Sequence, residues 1–121
     1  MIEIMKASAG SGKTYNLAGK YIGLLLKSDD RYAYRHILAV TFTNKATGEM
    51  KERILGQLYG IAHSLPSSQS YYEKIRDTFP HLDEQQIRAR AGEAMHIMLH
   101  DYGHFRIQTI DAFFQTVLRS L

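Results

Sequence analysis

The stretch MKASAGSGKTYN, residues 5–16, decides the fold expected for this chain. It follows the short alternating segment MIEIM and leads into apolar residues at helical spacing, which are Leu17, Ala18, Tyr21, Ile22 and Leu25. A strand that turns through a glycine-rich loop into a helix brings several backbone N–H groups to one point, where they can bind phosphate. Gly10 and Gly12 would allow a phosphate chain to approach the backbone closely. We therefore expect a phosphate-binding loop.

Two side chains of this loop suit the same ligand. Lys13 can reach the β and γ phosphates of a nucleotide, and the Thr14 hydroxyl can ligate Mg²⁺. The usual pattern G-x-x-x-x-G-K-[ST] has glycine where this chain has Ala7, so the match is one residue short. The alternative is a Gly/Ser-rich turn with an unrelated lysine. The strand before the loop and the helix after it favour phosphate binding.

Composition sets broad limits on the protein. Its 121 residues suit one small domain, and 45% hydrophobic with 22% charged residues is typical of globular proteins. The lack of cysteine excludes disulfides, thiolate metal sites and cysteine nucleophiles. The longest apolar run, YIGLLL, is too short to span a bilayer, so we expect a cytoplasmic protein without a membrane partner. The formal charge of +3 permits a polyanionic partner but does not identify one.

The rest of the chain alternates between predicted strands and helices. HILAVTFT, residues 36–43, suits a strand covered on both faces, and a helix follows with Ala46, Met50, Ile54, Leu58 and Ile61 on one face. SLPSSQS is the only linker-like segment. Asp83 is a plausible N-cap, with Gln86 three residues on, for a helix that Gly103 ends and whose face comprises Ile87, Ala91, Ala94, Met98 and Tyr102.

The C-terminal part adds a third strand and a last helix. HFRIQTI is predicted as a strand, and DAFFQTVLRSL as a helix with Phe113, Val117 and Leu121 on its apolar face. Alternating strands and helices predict an α/β fold with about three parallel strands flanked by helices. Ligands of such sheets bind at the carboxyl ends of the strands, where the glycine loop is expected.

Hydrolysis of a nucleotide needs more than a phosphate loop. One carboxylate must hold Mg²⁺ and a second group must activate water. Asp111 ends the segment IQTID, but Gln108 and Thr109 interrupt its apolar run, and Ala112 stands where a catalytic acid is expected. We therefore predict a chain that binds nucleotide without a complete catalytic set.

Two other groups of residues are better explained without a ligand. His96, His100 and His104 are four residues apart, a spacing that could align metal ligands on a helix, but Gly103 argues against a continuous helix. We interpret these histidines as surface or packing residues. The same interpretation, a solvated surface rather than a second nucleic-acid track, is given to Lys74, Arg76, Arg88 and Arg90.

Three segments together resemble motifs I, Ia and Ib of UvrD/Rep-type superfamily 1 DNA helicases. They are ASAGSGKT, ILAVTFTNKATGEMKERI and QTIDAFFQTVL, in the order and approximate spacing of that family. The residues of these motifs are most similar to those of the RecB/AddA branch of helicase-nuclease subunits. The resemblance covers residues 4–60 and 104–119 and says little about residues 61–103. Alanine at the start of the phosphate loop is ordinary in that family, which accounts for Ala7.

The resemblance implies an ATP-driven motor with a RecA-like sheet that acts on single-stranded or duplex DNA in recombination or repair. ATP and Mg²⁺ would be bound by the loop residues Ala9, Gly10, Ser11, Gly12, Lys13 and Thr14, with Thr14 on the metal. Single-stranded DNA would contact the motif Ia residues Thr41, Phe42, Thr43, Asn44 and Lys45. The motif Ib residues Thr109, Ile110 and Phe113 would complete this contact.

The residues themselves allow a second interpretation of motif Ia. Thr43 and Asn44 are good N-cap residues, so TNKA is equally well explained as a helix-capping turn, and the two roles can coexist. Phe42 and Phe113 could stack on bases, although core packing is the more common role of such residues.

The resemblance also implies parts that this chain lacks. The family's magnesium-binding Asp-Glu pair, its arginines and its second motor domain would lie beyond residue 121, and Asp111 stands where many relatives have histidine. We therefore interpret residues 1–121 as the N-terminal part of a helicase motor domain, with a helical insertion at about 64–103. The fragment alone is expected to be inactive, and other helicase-nuclease subunits are possible partners.

Two other functions and one assembly state stay open. A small phosphate-loop kinase would begin in the same way, but TFTNKA argues against it. A noncatalytic nucleotide-binding assembly module is compatible with the missing carboxylates. Because a sheet of about three strands leaves an edge uncovered, we expect self-association through sheet extension or through the helices at 84–102 and 112–121.

Overall fold

The computed structural model describes residues 3–7 and 11–121, with side chains described from Tyr15 onward. Three short 3₁₀ turns, Ala33–His36, Pro66–Ser68 and Tyr102–His104, connect the main elements. The main elements are β1 (Glu3–Ala7), α1 (Ser11–Lys27), β2 (Ile37–Thr41), α2 (Asn44–Ala62), α3 (Gln69–Thr78), α4 (Glu84–His100), β3 (Ile107–Thr109) and α5 (Ile110–Arg119).

The three strands form one parallel sheet in the order β1-β2-β3, which confirms the predicted α/β architecture. All five residues of β2 are buried, as expected for a central strand covered on both faces. β2 ends at Thr41, before the predicted end at residue 43, because the chain there turns into the cap of α2. β3 is shorter than HFRIQTI suggests and has three residues.

The predicted apolar faces of the first two helices are largely confirmed. In α1 the residues Ala18, Tyr21, Ile22 and Leu25 are buried, while Leu17 is partly buried. In α2 four of the five predicted residues are buried, and Ala46 is partly buried. These two faces join β2 in one hydrophobic core, whose burial is the main favourable contribution to folding.

The start of α4 is as predicted, but its end is not. Asp83 and Gln86 form a complete capping box, with Asp83 Oδ1 accepting from the Gln86 N–H at 2.8 Å. The helix ends at His100 rather than at Gly103, so the placement of Tyr102 on its buried face was wrong. The reason is Asp101, whose backbone leaves the helical region at φ −135° while its carboxylate binds side chains of other elements.

The segment predicted as a linker contains the start of another helix. SLPSSQS forms a 3₁₀ turn and the first residues of α3, which buries Tyr71, Tyr72 and Ile75. Ser68 is buried against α2, where a Cβ placed on Gly60 would lie 1.8 Å from Ser68 Oγ. Packing against α1 and α2 therefore determines the structure of a segment whose composition suggests a loop.

Two arginines that we interpreted as solvated surface are structural, so that interpretation was wrong for them. Arg88 Nη1 donates to the Ile61 carbonyl near the end of α2 at 2.7 Å. Arg90 Nη1 donates to the Leu26 carbonyl near the end of α1 at 2.8 Å. The last carbonyls of a helix lack partners within that helix, so each guanidinium satisfies one of them and binds α4 to a neighbour.

The last helix, α5, leaves most of its apolar face in solvent. Phe113 is partly buried, whereas Phe114 and Leu118 are 56% and 60% exposed. The apolar face of α4 is covered, since Ile87 and Met98 are buried in the core that α2 also enters. Of the two helices considered for self-association, α5 therefore offers the larger apolar surface, and self-association stays a prediction.

Among residues 3–7 and 11–121, none of the helices combines the length and the apolar character that crossing a bilayer requires.

The Asp101 carboxylate joins the segment before β2 to the segment before β3. It accepts hydrogen bonds from the Tyr34 hydroxyl, from Arg35 Nη2 at 2.7 Å and from His104 Nδ1 at 2.8 Å. The hydrogen bond from Tyr34 is the largest cause that lowers the pKa of Asp101 to about 2. Burial of the ring raises the pKa of Tyr34 to about 12.

We predict an acid-sensitive contribution of Asp101 to stability. Its pKa is lower in the folded than in the unfolded state, so the contribution is complete above the ordinary pKa of 3.8 and is lost as the pH falls through about 2. Asp101→Asn should therefore flatten the fall in Tm between about pH 4.5 and 2. Asp77→Asn, which changes an exposed carboxylate, is the control. Equal slopes for the wild type and Asp101→Asn would contradict this prediction.

Candidate functional site

The carboxyl ends of the three strands lie at one level of the sheet. Ala7, the last residue of β1, is in register with Thr41, and Thr41 is in register with Thr109. Each strand leads into a helix, with α1 beginning at Ser11, α2 at Asn44 and α5 at Ile110. One edge of the sheet therefore gathers three helix N-termini, whose first N–H groups and dipoles favour anionic ligands.

As predicted, a strand precedes the glycine-rich segment and a helix follows it, since β1 ends at Ala7 and α1 begins at Ser11. Ala9 and Gly10 lie outside the described residues. Ser11, Gly12, Lys13 and Thr14 form the first turn of α1, and this turn contains no acidic residue. The backbone thus places four of the six predicted nucleotide-binding residues at the N-terminus of a 17-residue helix.

Three threonines fix the turn between β2 and α2. Thr41 is fully buried, and its hydroxyl oxygen lies 2.6 Å from that of Thr47. The Thr43 carbonyl lies 3.2 Å from both of these hydroxyls. Thr43 Oγ1 accepts from the Ala46 N–H at 3.0 Å, which confirms the predicted capping turn.

The remaining motif Ia side chains are accessible. Phe42 is 59% exposed, so core packing was the wrong interpretation of this residue. Its side chain lies outside the core because β2 ends at Thr41, one residue earlier. Thr43, Asn44 and Lys45 are also exposed. The segment therefore presents an aromatic ring, an amide and a positive charge beside a helix N-terminus.

The turn between β3 and α5 repeats this arrangement in a simpler form. Thr109 Oγ1 accepts from the Ala112 N–H at 3.2 Å and caps α5. Thr109, Ile110 and Phe113 are partly buried, and Asp111 is exposed in the first turn of the helix. A carboxylate at this position is favourable for the helix dipole, which gives Asp111 a structural role.

The histidines at metal-ligand spacing contact other groups. His100 Nδ1 lies 2.8 Å from the His96 carbonyl of the same helix. His104 pairs with Asp101. Where side chains are described, no three histidine or acidic residues are placed so that they could hold a metal ion.

Sequence reasoning missed a contact between α3 and the start of α1. Tyr15, directly after Thr14, donates its hydroxyl to Ser70 Oγ at 2.7 Å. The Tyr71 hydroxyl donates to the Tyr15 carbonyl at 3.2 Å, and the centroids of the two tyrosine rings lie 4.4 Å apart. The partners are separated by 55 and 56 residues along the chain, so no local pattern indicates the contact.

Comparison with protein families identifies the chain. Residues 3–121 match the family described as the UvrD/REP helicase N-terminal domain. The chain belongs to this family. The resemblance that was based on its three motifs is therefore confirmed.

Individual members of the UvrD/REP helicase family match shorter parts of the chain. An ATP-dependent helicase/nuclease subunit of Alkaliphilus oremlandii is 49% identical over 55 residues, covering 46% of this chain and 4% of that protein. The ATP-dependent DNA helicase Rep of Escherichia coli is 51% identical over 57 residues, covering 47% and 8%. DNA helicase II of Salmonella typhimurium is 37% identical over 98 residues, covering 70% and 13%.

The relatives are much longer than the segments that match this chain. This UvrD/REP family chain spans between 4% and 13% of their lengths. Rep and the helicase/nuclease protein match at nearly equal identity, so identity does not favour either branch. No solved structure matches the chain significantly.

We predict that the Thr41 hydroxyl contributes to stability rather than to ligand contact. Thr41→Val keeps the volume but removes the hydrogen bonds to Thr47 and the Thr43 carbonyl, and should lower the free energy of unfolding by about 1 kcal/mol. Thr116→Val, at an exposed position on α5, is the control and should change it by less than about 0.5 kcal/mol. Urea denaturation measures both, and similar losses would contradict the role of Thr41.

Proposed function

We propose that the chain is the nucleotide-binding segment of a DNA helicase motor, with a RecA-like sheet that binds ATP and single-stranded DNA at one edge. The observation that supports this most is the common register of Ala7, Thr41 and Thr109. Neighbouring strands are about 4.8 Å apart, so the three following turns begin within about 10 Å of one another. A nucleotide at the first turn would thus lie beside DNA at the other two.

The first turn suits the phosphates of ATP. Ala9, Gly10, Ser11, Gly12, Lys13 and Thr14 would hold them, with Lys13 pairing with phosphate charge and Thr14 ligating Mg²⁺. The N-terminus of α1 supports this assignment, because free N–H groups and a helix dipole without an acidic side chain in the first turn favour an anion. Bound ATP with Mg²⁺ would supply the hydrolysable phosphoanhydride.

The second and third turns suit the backbone and bases of a single strand. Asn44 and Lys45 can bind phosphate, and the exposed ring of Phe42 can stack on a base. Buried Thr41 would position this segment without touching DNA, and Thr43 would combine its cap with a contact. Thr109, Ile110 and Phe113 would form the edge of the same track. Contacts of this kind do not distinguish one DNA sequence from another.

The domain assignment and the activity of the whole protein belong to the same proposal. Residues 1–121 would be the N-terminal part of a motor domain, and α3 with α4 would be the helical insertion at about 64–103. By their names, relatives are DNA helicases or helicase/nuclease subunits, so the complete protein would be an ATP-dependent DNA helicase, with nuclease subunits as possible partners. The alternative is a noncatalytic nucleotide-binding module. It is compatible with the scarcity of acids at this edge, since Asp111 is the only acid in the first turns of α2 and α5.

We predict that nucleotide binding depends on Lys13. Lys13→Ala removes a charge-assisted contact worth about 1.5–3 kcal/mol and should weaken MgATP binding by about 10- to 100-fold. Titration calorimetry measures both proteins, and Lys20→Ala, at an exposed site later on the same helix, is the matched control. If Lys13→Ala bound MgATP as well as the wild type, the loop would not be the nucleotide site.

We predict that DNA binding depends on Phe42 and Lys45. Phe42→Ala removes a stacking partner and should weaken binding of a fluorescent oligothymidine by about 5-fold or more. Lys45→Gln should reduce the dependence of log K on log salt by about one. Tyr59→Ala, which truncates another exposed aromatic residue on α2, is the control for Phe42. Equal effects of Phe42→Ala and Tyr59→Ala would place DNA elsewhere.

A further inference from the structure

A groove of about 300 Å³ lies between α1 and α3, apart from the turns assigned to nucleotide and DNA. Its floor is apolar and includes Leu24, Ile75 and Phe79. Its rim carries three lysines, Lys20 and Lys27 on α1 and Lys74 on α3. The proposed nucleotide and DNA contacts do not use this groove.

Glycines on α1 create the space. A Cβ on Gly19 would lie 3.3 Å from Tyr71 Cε1, which is tighter than ordinary contact. A Cβ on Gly23 would lie 3.7 Å from Phe79 Cε2, so this site accepts a side chain, and a larger one would extend into the groove. The groove therefore depends on the absence of a side chain at Gly23, and a large side chain introduced at this position would fill part of it.

None of the described ion pairs involves the three lysines around the groove. None of its lining residues is acidic. Near the ends of α1 and α3, Asp29 pairs with Arg90, Asp77 pairs with Arg76, and Asp30 accepts a hydrogen bond from the Tyr32 N–H. Lys74 lies 4.5 Å from the centre of the Tyr15 ring, and Lys20 and Lys27 are exposed. Seven residues of helix separate Lys20 and Lys27 by about 10 Å, so the positive charge extends along the groove.

We propose that this groove binds an acidic amphipathic peptide segment of a protein partner. The volume is near the lower limit of ligand sites and accommodates one or two apolar side chains. Flanking carboxylates on the peptide would face the three lysines, in the manner of a helix laid in a groove. Lys20 and Lys27 are spaced by about 10 Å along the axis of α1, which a segment with several carboxylates matches better than one small anion. The apolar floor disfavours a nucleic-acid backbone, which needs polar contacts for its phosphates.

Fluorescence anisotropy with a labelled 14-residue peptide tests the proposal. The probe has Leu or Phe at every third or fourth position and Glu elsewhere, and a peptide with Lys in place of Glu is the control. We expect binding of the acidic peptide that weakens with added salt, and no comparable binding of the basic one. Equal binding of both peptides, or none of the acidic peptide at about 1 mM, would overturn the proposal.

Two variants locate the binding to the groove. Gly23→Leu fills the groove while raising helix propensity and should weaken the acidic peptide about tenfold, with Tm measured to establish folding. Lys20→Gln/Lys27→Gln should weaken it about three- to tenfold, whereas Arg106→Gln/Arg119→Gln, outside the groove, should not. An unchanged affinity in folded Gly23→Leu would overturn the proposal. The proposal would also be overturned if oligothymidine displaced the peptide completely and the lysine variant lost DNA binding. That result would indicate that the groove binds nucleic-acid phosphates.

Discussion

The register of the parallel sheet is the constraint on which the candidate site depends. Parallel pairing aligns Ala7, Thr41 and Thr109 across the sheet, so the chain must leave all three strands at one edge. Because each strand leads into a helix there, three helix N-termini meet along this edge. The site therefore follows from backbone pairing, and the side chains of the turns adapt it to particular ligands.

Threonine hydroxyl groups fix the turn between β2 and α2. Thr41 and Thr47 surround the Thr43 carbonyl, and Thr43 caps α2, so the segment after β2 has little freedom to change its path. The neighbouring Phe42 is left in solvent by the same turn. In the proposed complex with DNA, a hydrogen-bonded turn that exposes an aromatic ring and a lysine would lower the ordering cost of binding.

The helical segment after α2 is bound to the first part of the chain by specific polar contacts. Arg88 and Arg90 of α4 satisfy carbonyls at the ends of α2 and α1, and Tyr71 of α3 reaches the carbonyl of Tyr15 in α1. Hydrogen bonds to Ser70 and Tyr71 of α3 therefore hold α1 at Tyr15. The same packing of α1 on α3 leaves the lysine-rimmed groove.

The sequence by itself determined the elements with strong local signals: the strand and the helix that flank the glycine-rich segment, the buried strand β2, the capping box at Asp83 and the family. Tertiary structure alone decided the exposure of Phe42, the end of α4 at Asp101, the existence of α3 and the roles of Arg88 and Arg90. These depend on partners far along the chain, such as Tyr34 for Asp101 and Ile61 for Arg88. Periodicity and capping are local and can be recognised within a few residues, whereas burial and hydrogen bonding between helices exist only after the chain has packed.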